Sequence, residues 1–240
     1  MSISKNECKQ VRSLAQKKFR DETGLFVVEG EKMVSEALTS GFEVVSVYRR
    51  EEIGEEAMAR LSSLSSPSPV LAVVRQPVRS LLRPSRGLFI ALDGIRDPGN
   101  LGTILRVSDW FGLDGVFASP DTVELYNPKV VQSTMGAIFR VPFYTTGIPE
   151  LCRSVLAADG HVYGTFLDGK NLYQRELDLG VDTPSLIVIG NESNGISAET
   201  AACVSDRLFI PPYPSDDPGS ESLNAAIATA ITVAEFRRRG

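Results

Sequence analysis

From Gly87 onward the chain alternates short apolar runs with helical segments, and this alternation restricts the possible folds more than any other feature. The runs are Leu88 to Leu92, Gly115 to Ala118, Phe139 to Phe143, His161 to Thr165, Leu186 to Ile189 and Leu208 to Ile210. Apolar strands between helices predict a largely parallel sheet with helices on both faces. In a sheet of that kind the ligand site lies at the carboxyl ends of the strands. Residues 87–240 are therefore expected to form one α/β domain.

The chain before Gly87 has a different rhythm. Ser4-Lys5-Asn6-Glu7 has the pattern of a capping box, and Val11, Leu14, Ala15 and Phe19 follow at helical spacing, which predicts one first helix. Leu25 to Val28 reads as a buried strand, Glu31 to Thr39 as a helix stopped near Gly41, and Val44 to Tyr48 as a second strand. A third helix over about Glu51 to Leu61 precedes the turn-rich Ser62 to Pro69, and Val70 to Val74 makes a further strand. Residues 1–75 thus predict a small α/β domain. Gln76 to Arg86, with two prolines, three arginines and no amphipathic period, reads as a linker.

Composition narrows the chemistry. No apolar run approaches the roughly 20 residues that cross a bilayer, and the polar start lacks the apolar core of a signal peptide. A cytoplasmic protein without a membrane partner is expected. Cys8, Cys152 and Cys203 are odd in number and far apart, which offers neither a disulfide framework nor a paired metal site and points to inert thiols. The single histidine, His161, excludes any two- or three-histidine metal centre, so no metal is expected; where it stands, a turn enters an apolar run and a structural role fits.

The formal net charge is −5, but residues 1–86 carry 14 Lys and Arg against 11 Asp and Glu, whereas residues 87–240 carry 11 against 19. Within the first twenty residues, Lys5, Lys9, Arg12, Lys17, Lys18 and Arg20 stand against Glu7 alone. Such a cluster suits phosphate contacts, and it equally suits a solvated helix face.

Three loops at expected strand ends carry the functional argument. The first, Asp93 to Arg106, joins a buried strand to a helix expected to begin about Asn100 and to run through Ile104, Val107 and Phe111. The free N–H groups of a helix start favour an anionic group. Arg106, further along, could reach back with a planar fork suited to phosphate, or could pair with Asp109 at i+3 on the helix surface. Asn100 could also be no more than a helix cap. In the second loop, Gly190-Asn191-Glu192-Ser193-Asn194-Gly195, two glycines permit close backbone approach and Glu192 places a carboxylate at the strand end. It matches neither the Walker loop nor the dinucleotide fingerprint, so a nucleotide-dependent enzyme of ordinary doubly wound type is disfavoured. The third runs from Ile210-Pro211 through a turn-rich stretch to Ser222-Leu223-Asn224, and opens a helix rich in small residues from Ala225 to Ala234.

Together these loops resemble the SpoU/TrmH family of SPOUT methyltransferases. The family motifs stand here as Asn100-Leu101-Gly102-Thr103-Ile104-Leu105-Arg106, as Gly190 through Gly195, and as Ile210-Pro211 with Ser222-Leu223-Asn224. Gly24 to Glu31 looks like the opening of the small RNA-binding domain that many members carry. The resemblance implies S-adenosylmethionine-dependent methyl transfer to a ribose 2′-hydroxyl of structured RNA, with ribosomal RNA favoured over transfer RNA. It further implies a trefoil knot at the carboxyl end of the catalytic domain and a homodimer that draws catalytic groups from both subunits. By the same resemblance Asn100, Arg106, Glu192, Ser222 and Asn224 form the catalytic set, and Gly190, Ile210 and Leu223 hold the cofactor. The stretch between Ile210 and Ser222 is longer than usual for the family and carries Asp216-Asp217-Pro218. Alternatives are an RNA-binding protein of this fold without transfer activity, and a transfer-RNA methyltransferase.

Overall fold

The computed structural model describes residues 3–175, 177, 182–214 and 221–239. The chain divides into two compact units, Met1–Arg79 with Glu124–Arg140, and Ser80–Val123 with Val141–Gly240. The Asp216 to Pro218 stretch lies outside the described residues.

The first unit opens with helices α1 (Lys5–Ser13) and α2 (Lys17–Thr23), where the sequence predicts one helix. The capping box forms as expected, with Ser4 Oγ accepting from the Glu7 amide at 3.1 Å. The helix then turns at Leu14 to Gln16, since Leu14 is drawn into the core while Ala15 is left exposed. Strand β1 (Leu25–Glu29), helix α3 (Glu31–Thr39) and strand β2 (Val44–Arg49) follow as predicted. The expected third helix is two, α4 (Arg50–Ile53) and α5 (Glu55–Leu61), because Gly54 sits at φ 87°, which breaks a right-handed helix. Strand β3 (Val70–Arg75) completes an antiparallel sheet in the order β1-β3-β2. The central position of β3 explains its unbroken apolar sequence: Val70, Ala72 and Val74 pack into one core cluster, Leu71 and Val73 into the other.

The second unit builds a six-stranded, wholly parallel sheet in the order β6-β5-β4-β8-β7-β9. It starts with β4 (Gly87–Asp93), α6 (Pro98–Trp110) and β5 (Gly115–Ala118). At Glu124 the chain leaves for the first unit, forming α7 (Pro128–Ser133) and a 3-10 turn over Ala137–Phe139. It returns for β6 (Phe143–Thr145), α8 (Ile148–Leu156), β7 (His161–Asn171), β8 (Pro184–Gly190), α9 (Ala198–Ala201), β9 (Asp206–Phe209) and α10 (Ala225–Arg239).

The excursion corrects one expectation. Phe139 to Phe143 is not a single strand: Phe139 packs into the first unit's core beside Phe26 and Val131, Val141 is buried in its own right, and the strand begins only at Phe143. The apolar run is the sum of two separate burials. Arg20 is corrected as well. Its side chain is 2% exposed, donates to Glu124 through Nε at 3.0 Å and through a second, shorter contact, and donates to the Leu14 carbonyl at 2.8 Å. It is therefore withdrawn from the expected phosphate-binding cluster, while Lys5, Lys9, Arg12, Lys17 and Lys18 are exposed.

Candidate active site at the carboxyl ends of the central strands

Strands β4 and β8 are central neighbours, and their last residues, Asp93 and Gly190, pair directly. This register places the first and second loops side by side. Helix α6 starts at Pro98, two residues earlier than expected, and its cap is Asp97, whose Oδ1 accepts from the Asn100 amide at 2.8 Å. Asn100 is thus no cap. It stands in the first turn, 8% exposed, with its side chain free for other work. Asp97-Pro98, a cap residue followed by proline at the first helical position, is the signal from which this start could be read.

The anion expected at this helix start is the protein's own Glu192. Its Oε1 accepts from Asn100 Nδ2 at 2.8 Å and from the Asp97 amide at 3.2 Å, and its Oε2 accepts from the Arg96 amide at 3.2 Å. Partial burial pushes the Glu192 carboxyl upward. The hydrogen bonds from Asn100, from its own backbone and from the Arg96 and Asp97 amides outweigh that and hold it below the usual glutamate range. An ionised carboxylate only accepts, so Asn100 must turn its amide nitrogen toward it and its oxygen away. That oxygen accepts from Asn224 Nδ2 at 2.8 Å, and the Asn224 oxygen in turn caps α10, accepting from the Ala226 amide at 2.9 Å and the Ile227 amide at 3.2 Å. One polarised chain, Glu192 to Asn100 to Asn224, links all three loops.

Further ties hold the second loop in place. Asn191 Nδ2 donates to the Gly94 carbonyl at 2.6 Å, and the Ser197 amide donates to Asp93 Oδ2 at 2.8 Å. Asn191 and Gly195 exchange two backbone hydrogen bonds of 2.9 Å, closing a tight turn. A side chain at Gly190 would place its Cβ 2.2 Å from backbone atoms of Gly195 and Ile196, so only glycine fits there.

The remaining predicted residues are placed less centrally. Ile210 follows β9 and is half-buried; Ser222 and Leu223 are exposed just before Asn224. Arg106 is exposed on α6, and its guanidinium makes no hydrogen bond or ion pair among the described residues, so the pair with Asp109 that its spacing allows is not among its contacts. Sequence reasoning missed the Arg96 and Asp97 amides, because backbone donors leave no mark on residue type.

Cys152, the buried thiol of α8, is no ready nucleophile. Burial, with smaller effects from Cys203 and Asp93, pushes that thiol up to about 12. His161 stands at the start of β7, where it stacks on Tyr163 with ring centroids 5.9 Å apart.

Residues 87–234 match the SpoU rRNA Methylase family, and residues 5–81 match the MRM3-like substrate binding domain. The chain belongs to the SpoU rRNA methylase family. Within it, this SpoU-family chain is 30% identical to the 23S rRNA (guanosine(2553)-2′-O)-methyltransferase RlmP of Bacillus subtilis, over 98% of each chain. It is 29% identical to the 23S rRNA (uridine(2479)-2′-O)-methyltransferase of Streptomyces viridochromogenes, over 92% of this chain and 85% of that one. Among solved structures, the AdoMet-bound rRNA methyltransferase of Sinorhizobium meliloti superposes with a TM-score of 0.88 at 30% identity, covering 100% of this chain and 97% of that one.

Proposed function

We propose that this SpoU-family protein transfers a methyl group from S-adenosylmethionine to a ribose 2′-hydroxyl of a structured RNA, ribosomal rather than transfer RNA. The observation that carries the reading is the continuous Glu192–Asn100–Asn224 chain, which draws the three family motifs into one constellation. The ribosomal RNA named for the relatives and the match of residues 5–81 to a substrate-binding domain support the choice of RNA. Residues 1–75 serve as the RNA-binding domain, 76–86 as the linker and 87–240 as the methyltransferase domain, with the 124–140 excursion packing into the first unit.

S-adenosylmethionine supplies an electrophilic methyl carbon on a sulfonium. The residues meant to hold it fit: the backbone N–H and C=O of Ile210 and Leu223 make no hydrogen bond among the described residues, and the Leu223 side chain is 48% exposed. Gly190, Ile210 and Leu223 hold the cofactor through such backbone groups. Asn100 keeps one N–H and one lone pair beyond its two internal bonds, which suit it to orient the acceptor hydroxyl. Arg106 positions the ribose and its phosphate with its planar fork, and a guanidinium, which holds its proton tightly, is a poor base. Glu192, Ser222 and Asn224 shape the site around them.

The carboxyl end of the catalytic domain forms a trefoil knot, an exception to the rule against threaded chains. Two copies associate through the catalytic domain as a homodimer. Helices α6 and α10 run parallel, tied at one end by Asn224 to Asn100 and at the other by Arg237 to the Phe111 carbonyl. They leave Trp110 85% and Ile227 49% exposed, which suits burial against a second copy. No helix of the described residues is long and apolar enough to cross a membrane.

The decisive experiment incubates the purified protein with labelled S-adenosylmethionine and ribosomal RNA from cells lacking it, then maps ribose methylation. Methyl transfer to a defined nucleotide is expected. Absence of both transfer and cofactor binding overturns the reading.

A further inference from the structure

The first unit holds a groove of about 600 Å³, apart from the site described above. Val11, Leu14 and Val131 line it with apolar surface, and Arg12, Ser65 and Gln132 stand around them. The groove is built, not incidental. Glu29, 5% exposed, accepts from the Ser63 amide at 2.9 Å, from Ser63 Oγ at 2.7 Å and from Ser62 Oγ, which fixes the turn beyond α5 as a rigid wall. Those bonds satisfy the hydrogen-bonding capacity of its carboxylate.

Other polar groups around the groove are unengaged. Gln132 is half-buried, yet its amide makes no hydrogen bond among the described residues, and the Ser65 hydroxyl likewise makes none. Among the described residues the Arg12 guanidinium reaches only the Arg60 carbonyl, at 3.4 Å. On α1, Lys5, Lys9 and Arg12 recur at i, i+4 and i+7, which sets three exposed cations in one ridge leading to the groove. The hollow that Lys5 shares with α5 is lined by Glu55 and Glu56, which repel phosphate and leave the Arg12 side as the favourable path.

An apolar floor for a flat ring, an amide for its hydrogen-bonding edge and cations for the flanking phosphates make up the chemistry that recognises an unpaired nucleotide. A paired base cannot enter, because its edge is engaged within the helix. We propose that this groove takes an unpaired nucleotide of the RNA substrate, with Gln132 reading the base and the α1 ridge holding the strand. The inference rests on the RNA methyltransferase reading. It also assigns a recognition role to a residue of the 124–140 excursion, which sequence alone places within the catalytic domain.

The test uses the full-length protein, short unstructured oligoribonucleotides carrying 4-thiouridine, and a blunt RNA duplex of the same length. Irradiation is expected to crosslink the single strand to the Ser62–Ser65 turn or to α7. Gln132→Met should weaken single-strand binding about tenfold, while duplex binding and the thermal midpoint stay unchanged. Lys9→Glu should weaken both RNAs, because it acts on phosphates. Unchanged single-strand affinity in Gln132→Met, or crosslinks confined elsewhere, overturns the proposal. So does saturable binding of uridine or adenosine monophosphate that single-stranded RNA fails to displace, since the ligand is then a free nucleotide. Failure of the methyltransferase reading registers separately, as absence of cofactor binding and transfer, which none of these measurements uses.

Discussion

Glu192 accepts from one side-chain amide and two backbone amides, and its charge dictates the direction of every hydrogen bond onward to α10. Glu192→Gln keeps the size and inverts half of that logic. Its new NH₂ faces the Arg96 amide, donor against donor, and we expect a loss of about 1 kcal/mol in denaturant unfolding together with slower transfer. The pH dependence follows from the lowered carboxyl. Its stabilising share is complete above the ordinary glutamate pKa and is lost as pH falls through the lower folded value. Thermal midpoints measured down an acid series should therefore fall less steeply for Glu192→Gln than for the unaltered protein. Arg106 tests the site from the other side. Exposed and unpaired among the described residues, it contributes little to stability, so Arg106→Ala should leave the fold intact and change unfolding by well under about 1 kcal/mol. If it orients the ribose, single-turnover transfer falls about 100-fold or more while cofactor affinity is kept, and Arg106→Lys restores little. Near-normal transfer in the alanine variant would return Arg106 to the helix surface.

Among the elements, α2 and the 124–140 excursion are joined by a bidentate ion pair between Arg20 and Glu124, with the arginine almost wholly buried. Removing one partner of such a pair strands the other's charge. Arg20→Ala is expected to cost about 3 kcal/mol in chemical denaturation, and Arg20→Met paired with Glu124→Leu should recover much of it. A loss in that double variant equal to the sum of the losses of Arg20→Met and Glu124→Leu alone would show that the pair is not coupled. The same contact explains why the amino-terminal basic cluster is less uniform than its sequence suggests. Spacing along α2 marks Lys17, Lys18 and Arg20 alike as cations, but only Arg20 has a carboxylate brought to it from over a hundred positions away.

For the whole molecule, the uneven charge and the exposed Trp110 each give a measurable outcome. Reversing Lys5 and Lys9 should lower RNA affinity and flatten its dependence on salt by about 0.7 of a unit of log–log slope per lost phosphate contact on a single strand, with cofactor binding unchanged. Unaltered RNA affinity would remove the small unit from the binding surface. A cut after residue 75 is a poorer probe, since it strips Val131, Ile138 and Phe139 of the core they share with Phe26 and Val28. Trp110 is the chain's only tryptophan. If α6 and α10 meet a second copy, dilution should shift its emission to longer wavelength as the indole regains water, in step with a fall in sedimentation from dimer to monomer. A 26.0 kDa species at micromolar concentration would count against the dimer.

The parallel sheet was legible because strands buried on both faces must be apolar throughout, and apolar runs separated by helical segments are visible in residue order. The strand ends at Asp93 and Gly190 were legible for the same reason. Local signals failed where a residue served a distant partner. Leu14 breaks the first helix to reach a core, Phe139 and Val141 mimic a strand while each is buried for its own reason, and Arg20 reads as a surface cation until Glu124 arrives. The amino-acid sequence alone determined the sheet and the loops that stand at its strand ends. Only the tertiary structure decided that Glu192 fills the start of α6 and that Asn100 joins it to Asn224. Those bonds connect residues some ninety and more positions apart, partly through backbone amides, and neither the distance nor the amides have any signature in local periodicity.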